Sequence, residues 1–167
     1  TALISAVSKT TDPKVKWSGT GFFIAKAFDA GVGLFLVSNK HVLEKNDSIN
    51  YRIFLHRKAG GKLGYPLRLK GAEHWIDTSR PIEVMLDCDS QYFSHPNPDI
   101  DLACICCTDL LDLPGSMHIP FSEDRILDWD RSTLFPSQEV MFVGYPDGIR
   151  DRMHNFPIAR TGTLASM

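Results

Sequence analysis

Leu34-Phe35-Leu36-Val37-Ser38-Asn39-Lys40-His41-Val42-Leu43 is the stretch on which the reading of this chain turns. An apolar run of strand length ends at Ser38-Asn39, and a histidine follows just past the turn. Upstream, Gly19-Thr20-Gly21-Phe22-Phe23-Ile24 reads as a partner strand. Asp29-Ala30-Gly31-Val32-Gly33 joins the two, with glycines able to take positive φ. The same texture repeats outward. Aromatic and β-branched runs separated by Gly, Pro, Asn or Asp predict strands at Leu3–Ser8, Gly21–Ala27, Gly33–Ser38, Ile49–His56, Leu63–Leu69, Asp101–Cys107, Glu139–Tyr145 and Phe156–Ala165. Tyr51, Ile53 and Leu55 would share one strand face. Tyr145-Pro146-Asp147-Gly148 is a turn, because Pro presets φ and Gly accepts the left-handed position. Helix signals are confined to one turn at His41–Lys45 and a short piece at Glu123–Arg131 capped by Ser122. Residues Asp109–Gln138, dotted with proline and weakly patterned, read as a connection between two substructures.

Composition narrows the class. Of 167 residues, 43% are hydrophobic and 23% charged, which suits a folded globular chain and not a disordered one. Lys and Arg number 18 against 20 Asp and Glu, a net charge of −2 that argues against nucleic-acid binding through a broadly basic surface. No apolar run approaches the ~20 residues of a membrane helix, so no membrane partner is expected. The start at Thr1-Ala2-Leu3-Ile4 lacks a basic leader and long apolar core, and is read as no intact signal peptide. Four cysteines, three of them in Cys104-Ile105-Cys106-Cys107, are too few for a disulfide scaffold. They read as buried free thiols, and with them the expected compartment is the cytoplasm.

Three segments carry chemistry together. The first is the glycine strand and the histidine strand, Gly19–Ile24 with Leu34–Leu43. The second is Asn97-Pro98-Asp99-Ile100-Asp101-Leu102-Ala103, where a loop delivers a carboxylate to an apolar strand. The third is Glu139-Val140-Met141-Phe142-Val143-Gly144-Tyr145-Pro146 followed by Pro157–Ala165, a strand, a turn region and a second strand. In this order they resemble the trypsin-like serine peptidases, and among these the bacterial HtrA-like branch. Ser38-Asn39-Lys40-His41-Val42 matches the family's Thr/Ser-Asn-x-His-Val. Asp101-Leu102-Ala103 matches its Asp-Leu/Ile-Ala, and Gly144-Tyr145-Pro146 the strand end that opens its second barrel. The resemblance runs from Gly19 to Ala165. It implies an all-β, chymotrypsin-like double β-barrel: a complete first barrel over residues 1–108, a connection over 109–138, and at 139–167 the first hairpin of a second barrel only partly present.

The resemblance also implies roles. A serine hydroxyl is a poor nucleophile until a base takes its proton, and imidazole titrates in the right range. His41 would be that base and Asp101 the buried carboxylate that orients its ring, as in the Ser-His-Asp template. Asp101 follows His41 by 60 residues, room for the strands between them to close a barrel. Asp99, two residues away, is the competing carboxylate. Asp101 is preferred because Leu102-Ala103 follows it directly. His95 in His95-Pro96-Asn97-Pro98 reads as shaping the loop, and His56, His74, His118 and His154 as surface residues.

The family's serine lies in Gly-x-Ser-Gly, and none of these residues forms that motif. Pro114-Gly115-Ser116-Met117 comes closest, but precedes the second barrel and lacks the following glycine. A nucleophilic role for Cys104, Cys106 or Cys107 is rejected, since the fold would bury them. No His-Glu-x-x-His, paired Cys-x-x-Cys or glycine-rich phosphate loop occurs. The expected function is therefore a serine endopeptidase acting on peptide or protein substrates without metal or cofactor, represented by a piece that is inactive alone. Its exposed hairpin Glu139–Ala165 is expected to self-associate or to take a missing C-terminal segment. A non-catalytic binding or scaffold module on a degenerate trypsin-like fold is the alternative. A small unrelated all-β binding domain, in which His41 and Asp101 do not meet, is the third reading.

Overall fold

The computed structural model describes residues 1–9, 14–43, 49–58, 65–69, 72–86, 92–117, 119–126, 134–149 and 156–165. Twelve strands follow in chain order: β1 (Ala2–Ser8), β2 (Val15–Phe28), β3 (Gly31–Ser38), β4 (Ile49–Lys58), β5 (Tyr65–Leu69), β6 (Ala72–Leu86), β7 (Tyr92–Ser94), β8 (Ala103–Cys106), β9 (Ser116–Met117), β10 (Phe121–Ser122), β11 (Glu139–Gly144) and β12 (Ile158–Thr163). Among the described residues the helical content is confined to short 3₁₀ turns, so the chain is all-β.

One sheet has the order β5-β6-β4-β1-β2-β3-β8-β7, with antiparallel neighbours throughout. β9 adds to β4 and β10 runs parallel to β2, while β11 and β12 form a separate hairpin. Among the described residues no ladder joins the two ends of the sheet, so hydrogen bonds do not close it into a barrel. The chain passes from the end of β6 at Leu86 to β7 at Tyr92 through residues 87–91, which lie outside the described set.

The buried face is set by strand alternation. Tyr51, Ile53 and Leu55 of β4 are all buried, as their spacing predicts. They join Ile4 and Ala6 of β1, Phe23 of β2, Leu34 and Leu36 of β3, and Ile105 of β8 in one core cluster. β1 is central and buried along almost its whole length. Each fully buried aliphatic side chain, such as Ile4, Leu36 or Ile53, contributes about 1.5–3 kcal/mol of burial free energy. The Asp29-Ala30 turn is present, and Gly31 has φ 137°. Gly148 takes φ 69° in the Tyr145–Gly148 turn.

Several expectations need correction. The sequence pattern predicts none of β6, β7, β9 and β10. β6 contains Pro81, which gives the ladder no N–H. Its register to β4 jumps from Leu55↔Ile82 to Arg57↔Asp77, leaving the proline in the irregularity. The strand expected from Asp101 starts at Ala103, so Asp101 and Leu102 belong to the loop. Ser122 does not cap the 3₁₀ turn Glu123–Arg125, since its hydroxyl bonds the Asp124 carboxylate instead. The helical piece expected over Glu123–Arg131 ends already at Arg125, since Ile126 is extended. The expected start at Leu63 and the end of the His41–Lys45 turn fall outside the described residues. The connection lies against the sheet: β10 runs along β2, Phe121 meets Phe22 edge-on at 6.1 Å between ring centres, and Lys26 pairs with Glu123 at 2.7 Å.

Candidate functional site

β3 ends at Ser38 because the chain turns there. The Asn39 carbonyl accepts the N–H groups of Val42 at 3.1 Å and Leu43 at 3.0 Å, which makes one tight turn. Val42 and Leu43 are buried, and His41 between Lys40 and Val42 is left outside, its side chain 71% exposed. Further contacts fix this turn. Trp17 Nε1 donates to the Val42 carbonyl at 3.0 Å. The Ser38 hydroxyl donates to the Thr20 carbonyl at 2.6 Å.

Across the sheet, β3 pairs with β8 up to Ser38↔Ala103. The residues just beyond that pair are Asn39-Lys40-His41 on one strand and Asp101-Leu102 on the other, so the ladder brings the two loops together. The Asp101 loop is built locally. Its ends are tied by the His95 N–H to the Leu102 carbonyl at 2.9 Å. The Asn97 N–H donates to His95 Nδ1 at 3.1 Å, and the Asp99 N–H to Asn97 Oδ1 at 3.0 Å. His95 thus shapes the loop, as its sequence context suggested, and Asp99 takes part in the loop through its backbone.

His41 Nδ1 lies 2.6 Å from Asp101 Oδ2, and the His41 backbone N–H donates to Asp101 Oδ1 at 3.0 Å. The carboxylate therefore grips both the ring and the main chain of the histidine. Asp101 is held below the ordinary carboxyl range, first by that backbone N–H. Desolvation opposes the shift, while bonds from the His41 ring and the Asn39 amide, and the imidazole charge, add to it. An ionised carboxylate only accepts, so Nδ1 carries the ring proton. In the neutral ring Nε2 then presents its lone pair, the form a general base requires. The carboxylate is not buried as the resemblance implied, because the Asp101 side chain is 47% exposed.

Asn39 is the residue that sequence reasoning missed. Its side-chain Nδ2 reaches Asp101 Oδ2 at 3.2 Å and the Asp101 carbonyl at 3.3 Å. The signal for it is its position in Ser38-Asn39-x-His41, two residues before the histidine. Thr20 is a second. Its carbonyl accepts the Ser38 hydroxyl, and its own hydroxyl oxygen accepts the Tyr145 N–H at 2.6 Å, which ties the hairpin to β2 beside the histidine turn.

The other candidates separate from this site. Cys107 is buried, and burial pushes its thiol up to about 12, so it is no thiolate at neutral pH. Cys104 and Cys106 are half-buried rather than buried, and all three are free thiols. The Ser116 hydroxyl donates to the Leu113 carbonyl at 2.8 Å within its own turn. The side chains of His56, His74, His118 and His154 fall outside the described residues. Among the described residues no group of three or more His, Cys, Asp or Glu is placed to hold a metal ion. No helix among them is long and apolar enough to cross a membrane. Comparison with protein-family models, curated proteins and solved structures found no match for this chain.

Proposed function

We propose that this chain carries the general base and the orienting carboxylate of a trypsin-like serine endopeptidase. The observation that carries the reading is the 2.6 Å contact between His41 Nδ1 and Asp101 Oδ2, made by residues 60 apart in sequence. It sets the tautomer that leaves Nε2 able to take a proton from a serine hydroxyl. The strand order supports the same fold. β4-β1-β2-β3-β8 contribute side chains to one core with Tyr92 of β7 packed against it, β6 pairs with β4, and β7 follows β6 closely in the chain. In this reading β1 to β8 make the first barrel and β11-β12 opens the second. The nucleophile would come from a Gly-x-Ser-Gly segment outside these 167 residues, and the substrate is a peptide or protein.

A second reading keeps the barrels and loses the chemistry: a binding or scaffold module on the same fold. The half-exposed Asp101 favours it. Hydrolysis assays and fluorophosphonate labelling of the natural full-length protein separate the two. The peptidase reading expects label on a serine outside residues 1–167, and a loss of roughly 10⁴–10⁶-fold in kcat for His41→Ala. Absence of both label and hydrolysis supports the module. Turnover that survives His41→Ala rules out His41 as the base.

A further inference from the structure

The strongest unassigned geometry surrounds Asn39, whose backbone and side chain do two separate jobs. Its carbonyl accepts two N–H groups and forms the turn that carries His41. Its side-chain amide reaches across the sheet to two oxygens of residue 101, one on the carboxylate and one on the main chain. We propose that Asn39 is a positioning residue, clamping Asp101 in the rotamer from which the carboxylate meets His41.

Asp101 needs such a clamp. It sits in a loop before β8, outside the ladder, and its side chain is half exposed. A free carboxylate there would rotate into water, since hydration competes well with exposed ion pairs. With the Asn39 amide on Oδ2 and the His41 N–H on Oδ1, both oxygens are occupied by donors fixed to the β3 end. The ring Nδ1 then meets an oxygen whose direction is already set. The main-chain bond to the Asp101 carbonyl fixes the loop as well as the side chain, which a lone charge pair would not do. The functional consequence rests on the peptidase reading, but the clamp is a property of this chain.

The test is NMR of the full 167-residue chain, labelled with ¹⁵N and ¹³C. In the wild type the Asn39 side-chain amide protons should shift in step with protonation of the Asp101 carboxyl, and neutral His41 should carry its proton on Nδ1. Asn39→Ala should raise the Asp101 titration midpoint and mix the two His41 tautomers. Asn39→Asp, which removes the donor and adds a like charge, should raise the midpoint further. Amide resonances of the β3-β8 ladder report whether each variant stays folded. An Asn39 amide that does not respond to the Asp101 titration in the wild type overturns the clamp, whatever the variants do. An unchanged midpoint and an unchanged tautomer in a folded Asn39→Ala chain also overturn it. Neither readout involves turnover, so loss of the peptidase reading in the full-length assay would leave the clamp standing.

Discussion

Gly19 lies directly against Val42, so that a Cβ on the glycine would fall 2.7 Å from both valine methyl carbons. That contact explains the first glycine of Gly19-Thr20-Gly21: it makes room for the turn that presents His41. Gly21 does the same work deeper in the core, where a Cβ would meet Ile4 at 2.6 Å and Leu36 at 2.8 Å. Valine is stiff at χ1 and has no flexible end to swing away. Gly19→Ala should therefore push Val42 outward and carry His41 with it, at a cost of about 1–3 kcal/mol for overpacking. Gly21→Ala should cost a similar amount without moving the histidine turn. Urea unfolding gives the stabilities, and the His41 ring ¹⁵N shifts give the movement. Ring shifts altered by Gly21→Ala and not by Gly19→Ala would reverse this assignment.

Much of this was legible in the sequence, for reasons that lie in particular residues. The run Leu34–Val37 is apolar on both faces, so its strand was plain, and the pairing of β3 with β8 carried His41 to Asp101 as the ordered motifs implied. What escaped was structure that depends on distant partners. β6 hides behind Pro81 and its charged neighbours, because its register shift is set by β4 and not by local pattern. Asp101-Leu102 reads as strand by composition, yet β8 starts at Ala103, because the Leu102 N–H bonds back to the Ile100 carbonyl at 2.9 Å and the chain turns there. Asn39 looked like turn chemistry alone because only the fold shows what its amide faces.

The Asp101 carboxyl has a clear pH signature. Its folded pKa lies below the ordinary ~3.9 of aspartate. A depressed carboxyl contributes stability that is fully present above the unfolded value and is lost as pH falls through the folded one. The wild type should be more stable than Asp101→Asn at pH 6, and the margin should shrink as the pH drops below about 4. Denaturant midpoints for both proteins at several pH values measure this. A margin that stays constant down the series would place the linkage elsewhere.

Cys107 should be inert in the folded chain. Burial holds its thiol near 12, and burial with the neighbouring Cys106 also raises Cys104. Only thiolate reacts with alkylating reagents, so at pH 8 Cys107 should stay unmodified until denaturant is added. Peptide mapping after a timed pulse of iodoacetamide resolves the sites. Rapid native labelling of Cys107 would mean that β8 opens far more readily than its place beside β3 implies.

The hairpin makes the last prediction. Met141 and Phe142 point to opposite faces of β11, yet they are 66% and 63% exposed, and Val143 is 42% exposed. Among the described residues the hairpin meets β2 at its Tyr145 end, where the Tyr145 N–H donates to the Thr20 hydroxyl and Tyr145 is buried. Among the described residues β11 pairs with β12 alone, so its other edge offers unpaired backbone groups. Such an edge is a template for another strand, and an isolated hairpin is marginal by itself. Self-pairing of β11 meets little electrostatic resistance. Its one charge is Glu139 at the strand end, and an antiparallel copy would set that residue opposite Gly144. The 167-residue chain is therefore expected to self-associate through β11, with a mass by light scattering that rises with concentration. Met141→Lys and Phe142→Lys, which put charge on the two faces, should return it to monomer without loss of the His41–Asp101 contact. A wild-type mass that stays monomeric across the series, with the β11 amides protected from exchange, would show that this edge is covered by the chain's own residues.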